Sequence, residues 1–336
     1  MKKSIISAAL VLVCIVIAPL TSCSGLPAEE HSRPDDSGLP VVSVEGDGYP
    51  LTLHDFLGYE TVLENMPERV AVVASATLNI WYDIGGKSLA SPDVSANVKL
   101  DPQYEDEIRA LPSLGPYYAM NIESLVDLHA DLYIMQYEMR SLAATLRDMG
   151  FKVFITGLKG LSDVEDTYRA FGAILEGKDR AERRISEINA QKDAVTAKLP
   201  DTETSVVVLY LTAQSLSVKL NNSIAGDLMN ILKLKNIASD LPPDTIGSEN
   251  TPLDIEYIVA SNPDYVFVTS MVSDNDTAIN MMNDHFTNNP AWKGVKAIQE
   301  GRIIYLPQQY FLVNAGPFYG EAIEYMAKQV YPEIYN

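Results

Sequence analysis

The chain has 336 residues, of which 25 are Lys or Arg and 45 are Asp or Glu, so its formal charge is −20. A hydrophobic fraction of 47% is enough for a packed core, which excludes disorder as a description of the whole chain. Nucleic-acid binding is also excluded, because a DNA or RNA binder clusters Lys and Arg to neutralise phosphates and the sequence shows no basic stripe. The length fits two domains or one large α/β domain.

The first residues have the layout of an export signal. Lys2 and Lys3 precede the apolar run 5–20, which is too short and one-sided to favour a membrane-spanning helix. The run ends at Leu20-Thr21-Ser22-Cys23, which resembles the lipobox of bacterial lipoproteins, where the cysteine is lipidated and becomes the first mature residue. We therefore expect a lipoprotein signal peptide over 1–23 with lipid on Cys23. An ordinary signal peptide with an incidental Cys23 is the alternative.

The next segment lacks the pattern of a folded domain. Residues 24–50 are rich in Gly, Pro, Ser and acidic residues and show no apolar periodicity until Val41, which predicts a flexible tether. Residues 51–63 predict a short hairpin, and the continuous apolar run 70–74 predicts the first buried strand of a parallel sheet. The folded part is therefore expected to begin at residue 51.

An internal repeat dominates the rest of the chain. Residues 121–135 align with residues 254–268 without a gap. Each copy begins at an N-cap residue, continues with apolar residues at helical spacing, turns at an Asp and enters an apolar strand. A second pair, 146–155 and 297–306, has a helix end, a glycine and a strand in both copies. The opening strands of the two halves match as well. Three matched elements in one order predict two α/β lobes of one design; chance similarity of common helix–strand units is the alternative.

A helical segment separates the repeats. Residues 164–175 predict an amphipathic helix, Glu176-Gly177-Lys178 ends it, and 179–199 predict a second, charged helix. A single helix between two lobes is a stiff connector. In chain order, the expected organisation is signal peptide 1–23, tether 24–50, N-terminal α/β lobe 51–177, connecting helix 178–199 and C-terminal α/β lobe 200–336.

Several short motifs occur in a fixed order over residues 50–335. They are Pro67-Glu68-Arg69-Val70, Gly115-Pro116-Tyr117 ahead of Asn121-Ile122-Glu123, Asn262-Pro263-Asp264, Trp292 followed by 295–302, and Tyr331-Pro332-Glu333. In this order, and together with the lipobox, they resemble the class III substrate-binding lipoproteins of ABC importers for ferric siderophores, haem and cobalamin. The resemblance implies two Rossmann-like lobes of parallel sheet flanked by helices, joined by one long connecting helix, with a ligand cleft between the lobes.

The expected ligand site follows from that architecture, because parallel α/β lobes bind ligands beyond the carboxyl ends of their strands. The loops at those ends are rich in aromatic and amide side chains, which suit a large, partly apolar chelate, and carry cations that the family often places against an anionic ferric chelate. The candidate ligand-binding residues are Thr77, Tyr117, Tyr118, Gln136, Tyr137, Arg140, Lys159, Gln214, Met271, Gln308, Gln309 and Tyr310. For the tyrosines, packing within their own lobes is the alternative.

Two glutamates recur at the same place in the repeat. Glu123 and Glu256 each occupy the third position of a matched helix motif. In the family that the motifs resemble, one surface Glu per lobe at this position docks on arginines of the permease, and both positions match here. The alternative is a first-turn acid that merely complements the helix dipole.

Catalytic and metal-binding motifs are missing from the sequence. The four histidines, His31, His54, His129 and His285, lie outside the expected pocket loops, so no metal site of the His-cluster type is expected. No nucleophile elbow, P-loop or dinucleotide-binding glycine motif is present. We therefore expect no catalytic residues and no covalent group apart from the lipid on Cys23.

The resemblance implies a binding protein, not an enzyme, that captures an iron(III)-siderophore-type chelate and delivers it to an ABC permease dimer served by a cytoplasmic ATPase. Haem and cobalamin are the alternative ligands, and a surface lipoprotein glycan hydrolase is the alternative of another class. The protein is expected to be an exported monomer, anchored by its lipid at the outer face of the bacterial cytoplasmic membrane, which is the periplasmic side in a two-membrane cell.

Overall fold

The computed structural model describes residues 41–94 and 98–335. The expected signal peptide, Cys23 and residues 24–40 of the expected tether lie outside these ranges, as does the side chain of Tyr117. The helices are α1 Ser75–Asp83, α2 Glu105–Arg109, α3 Ile122–Asp127, α4 Arg140–Asp148, α5 Leu161–Ile174, α6 Lys178–Thr196, α7 Ile224–Ile231, α8 Ile255–Ser261, α9 Asn275–Asn288, α10 Lys296–Gln299, α11 Gln308–Phe311, α12 Tyr319–Val330 and α13 Pro332–Tyr335. The strands are β1 Ser43–Glu45, β2 Leu51–His54, β3 Glu60–Leu63, β4 Val70–Val72, β5 Leu132–Gln136, β6 Val153–Thr156, β7 Ser205–Thr212, β8 Leu216–Lys219, β9 Lys235–Asn236, β10 Asn250–Pro252, β11 Tyr265–Met271 and β12 Ile303–Tyr305. None of the helices in these ranges combines the length and the apolar character that a bilayer crossing requires.

The strands form three sheets. β1, β2 and β3 make an antiparallel sheet, and β4, β5 and β6 make the parallel sheet of the N-terminal lobe. In the C-terminal lobe the order is β10-β8-β7-β11-β12, with β9 also beside β7. There β9, β7, β11 and β12 are parallel, whereas β8 and β10 are antiparallel to their neighbours. The two predicted α/β lobes are therefore confirmed, and the C-terminal sheet carries an antiparallel extension that the sequence did not predict.

The predicted repeat is confirmed at its helix starts. The side chain of Asn121 accepts a hydrogen bond from the Glu123 N–H at 2.9 Å, and that of Asp254 accepts one from the Tyr257 N–H at 3.0 Å. Each cap begins a short helix, α3 or α8, that leads into the middle strand of its sheet, β5 or β11. Because a free helix start leaves backbone N–H groups without partners, the same capping chemistry sets the same start in both lobes.

A second shared feature lies in the turn before each middle strand. Asp131 Oδ2 accepts the Arg69 N–H at 2.9 Å, and Asp264 Oδ2 accepts the Ser205 N–H at 2.8 Å. In both lobes the turn aspartate thereby fixes the backbone that enters the first strand, β4 or β7. The aspartate that the repeat shares is thus a structural residue of the sheet.

The second repeated unit ends each helix with a glycine in the left-handed region. Gly150 has a φ of +88° and Gly301 has a φ of +71°, and each is followed within three residues by a strand, β6 or β12. Residues with a Cβ rarely adopt this backbone conformation, so glycine is required for the sharp turn from helix to strand.

The fold begins earlier than the expected boundary at residue 51. The Val41 N–H donates to Asp166 Oδ2 on α5 at 3.0 Å, and β1 pairs with β2. Val42 is buried, because the short apolar stretch 41–44 supplies enough hydrophobic surface for an added strand. Residues 41–50, assigned to the tether 24–50 from composition, are therefore part of the folded N-terminal lobe.

The predicted hairpin 51–63 is confirmed as β2 and β3, and its turn is fixed to the end of β6. The buried carboxylate of Asp55 accepts the Ile155 N–H at 3.2 Å and forms an ion pair with Arg147 of α4. Burial raises the pKa of Asp55, whereas the Arg147 guanidinium lowers it. The ring of Phe56 covers Gly157 so closely that a side chain there would clash with it. The hairpin thus packs against the loop that follows β6.

The connecting helix is α6, as the charge and apolar pattern predicted. Its buried residues Ile185 and Ile188 belong to one continuous core that includes the N-terminal lobe and the inner face of the C-terminal sheet, for example Val208 and Phe267. The outer face of that sheet has a separate core. The two lobes therefore share hydrophobic contacts along α6 as well as a covalent connection.

Candidate functional site

The two lobes meet at the loop between β6 and α5. The Leu161 N–H donates to Oδ2 of Asp227 on α7 at 3.1 Å, and the Tyr319 hydroxyl of α12 donates to the same carboxylate. A Cβ on Gly160 would lie 2.8 Å from Asp227 Oδ1, so the approach of the backbone requires glycine. Burial and the Asp227 charge raise the pKa of Tyr319 well above its usual value, which keeps this hydroxyl a donor.

Next to this contact, two lysines share one carboxylate. Lys159 lies in the β6–α5 loop of the N-terminal lobe, and its Nζ is 3.7 Å from Oε1 of Glu249. Lys219 lies at the end of β8 in the C-terminal lobe, and its Nζ is 3.2 Å from Oε2 of the same residue. The Lys159–Glu249 ion pair therefore crosses the junction between the lobes, whereas the Lys219–Glu249 pair lies within the C-terminal lobe. Together they bring the predicted residue Lys159 next to two residues that the sequence did not nominate.

The antiparallel pairing of β8 with β7 determines where Lys219 lies. Tyr210 pairs with Ser217, and Lys219 follows two residues later on the same face of the sheet. Its Nζ is 4.2 Å from the centre of the Tyr210 ring. Burial lowers the pKa of Lys219 and the Lys159 charge lowers it further, whereas Glu249 raises it. The ammonium group is thus held in a partly dehydrated place by an aromatic ring and one carboxylate.

The same sheet face continues to the carboxyl ends of β7 and β11. The Tyr210 hydroxyl donates to Sδ of Met271 at 3.3 Å, and Met271 is 47% exposed. Gln214 lies exposed in the β7–β8 turn. Met271 and Gln214 therefore lie at the carboxyl edge of the sheet, where the architecture predicts a ligand.

The corresponding edge of the N-terminal lobe carries Gln136, Tyr137 and Arg140. Gln136 ends β5, Tyr137 opens a short 3-10 turn, and Arg140 begins α4. The exposed Arg140 guanidinium lies 4.7 Å from the centre of the Tyr137 ring, which in turn packs edge-on against Phe56 at 5.3 Å. Arg140 is thus exposed beside the half-buried ring of Tyr137, and half-buried Gln136 precedes them in the chain.

Two of the predicted ligand-binding residues have internal partners. Thr77 is buried in α1, and its hydroxyl is 3.1 Å from that of Thr156. Gln308 is buried at the start of α11, and its amide donates to Ser270 Oγ at 3.2 Å and to the Val272 carbonyl at 2.8 Å. Both side chains are therefore held by internal hydrogen bonds, and their contact with a ligand stays a prediction.

Tyr310, a third predicted residue, is buried at a second contact between the lobes. Its hydroxyl donates to Glu321 Oε2 at 2.8 Å and accepts from Lys99 Nζ at 3.0 Å. Lys99 also forms an ion pair with Glu321, and its Nζ is 4.3 Å from the centre of the Phe318 ring. Tyr310 thus joins the loop before α2 to α12, and its contact with a ligand stays a prediction.

The remaining predicted residues differ in exposure. Tyr118 is 75% exposed in the 3-10 turn Tyr117–Ala119, and Gln309 is half-buried in α11. Tyr118 is therefore open to a large partner, whereas Gln309 has one face available.

Sequence reasoning missed Lys219, Glu249, Tyr210 and Lys99. A signal existed for Lys219, because residues 216–219 alternate apolar and polar side chains as a half-buried strand does. Glu249 and Lys99 lie in segments without periodicity, so their positions depend on tertiary packing alone.

The two repeated glutamates lie away from these contacts, in the first turns of α3 and α8. Glu123 and Glu256 are both exposed, while Leu125 and Ile258 on the same helices are buried. This placement agrees with the amphipathic pattern, since each helix turns its apolar face inward and its glutamate to solvent.

A groove of about 470 Å³ lies elsewhere on the N-terminal lobe, and Tyr49, Glu176, Arg180 and Arg183 are among its lining residues. It lies at the far end of the 14-residue α5, about 20 Å along the helix from the lobe junction. Nowhere in the described ranges do three or more His, Cys, Asp or Glu side chains gather so that they could hold a metal ion.

Comparisons with known proteins agree with this architecture. The chain is similar to the Fe(3+)-citrate-binding protein YfmC of Bacillus subtilis (strain 168), with 20% identity over all of this chain and 98% of that protein. An ABC transporter substrate-binding protein from Listeria monocytogenes EGD-e has a similar fold, with a TM-score of 0.69 and 18% identity over 79% of this chain and 98% of the other. The structure of an ABC-type Fe3+-hydroxamate transport system from Saccharomonospora viridis DSM 43017 is also similar, with a TM-score of 0.68 and 18% identity over 84% of this chain and 99% of the other. The family model described as periplasmic binding protein matches residues 70–310, so the chain belongs to the periplasmic binding protein family.

Proposed function

We propose that this protein is the substrate-binding component of an ABC importer and that it captures an iron(III) chelate between its lobes for delivery to a membrane permease. The observation that carries the proposal is the lysine pair at the lobe junction, where Lys159 and Lys219 lie 3.7 and 3.2 Å from one shared carboxylate. Ferric chelates of carboxylate ligands are anionic, and a partly buried cation pair attracts them more strongly than exposed lysines do. The named cargo of the Bacillus subtilis relative supports the same class of ligand.

The contacts of α6 support a mechanism with little lobe movement. Arg184 of α6 donates to Asp83 Oδ2 at 2.7 Å, and Tyr168 of α5 donates to the same carboxylate at 2.5 Å. These bonds fix the connecting helix to the N-terminal lobe, while α12 packs along it from the other side. Ligand binding therefore adjusts the lobe junction by a small rotation and does not require a wide hinge.

Equilibrium dialysis with radioactive iron tests the ligand class. The purified protein is expected to retain ferric citrate or a ferric siderophore from a panel that also contains free citrate and iron-free siderophores. Retention of none of the ferric chelates would contradict the proposed ligand.

Glu123 and Glu256 are proposed to dock on the permease. Both are exposed at equivalent positions of the repeat, as a two-lobed protein that contacts a two-subunit permease requires. Replacing both by Ala is expected to leave ferric chelate binding in solution unchanged and to abolish iron uptake by cells. Uptake at the parent rate would show that these residues are only first-turn acids.

Haem is a second candidate ligand because of Met271. Its thioether is 47% exposed and accepts the Tyr210 hydroxyl at 3.3 Å, and thioether sulfur can hold haem iron. If haem binds here, its Soret band shifts on binding and the shift is altered in Met271→Leu. An unaltered shift in that variant would exclude Met271 as the axial ligand.

Anchoring through Cys23 is proposed on sequence grounds. Cells that express Cys23→Ser are expected to release the protein from the membrane fraction, while the parent chain stays there and incorporates labelled fatty acid. Equal membrane association and labelling of both would contradict lipidation at this residue.

A further inference from the structure

At the junction between the lobes, two lysines share one carboxylate. Lys159 and Lys219 contribute two ammonium groups, and Glu249 is the one carboxylate within 4.0 Å of both among the described residues. Asp244 adds a longer-range negative charge from the loop ahead of Glu249. The set is therefore built around a single carboxylate position between two cations.

The ammonium group of Lys219 has little contact with solvent, so water cannot take the place of the Glu249 carboxylate. Its side chain is 12% exposed, and its pKa is lowered mainly by burial. A dehydrated ammonium group requires a nearby anion, so a carboxylate has to occupy this position whether it comes from the protein or from a ligand.

Glu249 is placed so that it can leave. It immediately precedes β10, which lies at the edge of the C-terminal sheet, and its side chain is 29% exposed. Lys159 approaches from the other lobe with 23% exposure. The Glu249 carboxylate is therefore the most exposed of the three side chains and has room to turn to solvent.

We propose that Glu249 is an internal stand-in for a ligand carboxylate, and that its displacement selects iron(III) chelates with free carboxylate groups over uncharged ferric chelates. The proposal rests on the proposed function and assigns a specificity-determining role to this residue. A ligand carboxylate takes over the contacts with Lys159 and Lys219, so the bridge between the lobes is kept while Glu249 turns to solvent. An uncharged chelate cannot replace those contacts and gains nothing from displacing Glu249.

The test compares Glu249→Gln with the parent by equilibrium dialysis, with ferric citrate and an uncharged ferric hydroxamate as probes. The variant keeps the shape of the side chain but removes the competing charge, so its affinity for ferric citrate is expected to rise about tenfold. Its affinity for the hydroxamate is expected to stay the same. Lys159→Gln is the second variant, expected to lower the affinity for ferric citrate about fivefold and to leave the hydroxamate unaffected.

Glu203→Gln is the matched control. Glu203 pairs with Lys235 at 3.0 Å in the same lobe, but the two side chains are 70% and 59% exposed. Since solvent screens this pair, the control is expected to change neither affinity.

The outcomes separate the two levels of the proposal. A folded Glu249→Gln that binds ferric citrate no more tightly than the parent overturns the stand-in role. If that variant does not fold, unchanged citrate affinity in Lys159→Gln overturns it. If the parent retains the hydroxamate and neither variant changes citrate binding, the selection rule fails and the iron chelate function stands. Retention by the parent of no ferric chelate from the full panel, these two probes included, overturns both.

Discussion

The two lobes repeat one design, yet they differ in what has been added to it. Both contain a capped helix, a turn aspartate and a middle strand in a parallel sheet. The N-terminal lobe carries a separate antiparallel sheet, β1–β3, whereas the C-terminal sheet is widened by β8 and β10. The charges that we assign to ligand selection, Lys219 and Glu249, come from the widened part. The repeated unit thus supplies the scaffold and carries the proposed docking positions, and the unrepeated strands carry the charges that we propose for ligand selection.

The largest loss of stability is expected when the buried residues of the repeated helices α3 and α8 are shortened. Comparing the two losses tests whether the helices are packed equivalently. Leu125 and Ile258 occupy matched positions and are both fully buried. Leu125→Ala and Ile258→Ala are each expected to lower the free energy of unfolding by about 2–5 kcal/mol, because a buried cavity is left behind. Urea denaturation followed by circular dichroism measures both. A loss below about 1 kcal/mol in one variant would break the equivalence of the lobes.

Replacing the turn aspartates is expected to destabilise the protein less than the cavity variants do. It tests whether the two lobes differ in the burial of this turn. Asp131→Ala is expected to cost about 1 kcal/mol and Asp264→Ala about 2 kcal/mol. Each aspartate accepts two hydrogen bonds, Asp131 from the N–H groups of Glu68 and Arg69 and Asp264 from the N–H and hydroxyl of Ser205. The difference is expected because Asp264 is half-buried, whereas Asp131 is exposed. Equal losses in denaturant melts would show that burial does not distinguish the two turns.

The helix-ending glycines test the repeat through backbone conformation alone. No atom lies within 4 Å of a Cβ added at Gly150 or Gly301, so Gly150→Ala and Gly301→Ala are expected to cost about 1 kcal/mol each from the positive φ. Gly48→Ala is the control, since Gly48 also has open space around it but no positive φ. A loss in the control equal to the other two would contradict the backbone explanation.

The smallest expected effect is specific to the C-terminal extension. The folded state lowers the pKa of Lys219, so between that lowered value and the usual value near 10.5 the unfolded chain binds more protons. The contribution of Lys219 to the free energy of unfolding therefore increases as the pH rises through that window. The free energy of unfolding is measured at several pH values for the parent and for Lys219→Met. As the pH rises, the value of the parent is expected to increase relative to that of the variant. A pH-independent difference would show that Lys219 is not dehydrated.

The sequence was sufficient where local chemistry decides the structure. Asn121 and Asp254 are good N-caps, Gly150 and Gly301 favour the left-handed region, and the charged pattern of α6 predicts a connector; the structure confirms each of them. The expected lobe boundaries were less accurate at the N-terminus, where a strand of three residues, β1, forms only because β2 and α5 offer it a surface.

The site was harder to predict, because side-chain direction in loops depends on the packing of distant elements. Thr77 and Tyr310 are of suitable chemistry, but Thr156 and Glu321 bind their hydroxyl groups inside the protein. Glu249 is meaningful only beside Lys159, which is 90 positions away in the chain. Spacing along the sequence contains no information about such a contact.

Anomalous scattering from crystals grown with ferric citrate tests the central claim most directly, since it locates the iron itself. We expect an iron peak at the lobe junction, within reach of the ammonium groups of Lys159 and Lys219, with the Glu249 carboxylate turned away from them. A peak in the groove beside Tyr49 and Arg180, or no bound iron at the junction, would contradict the account.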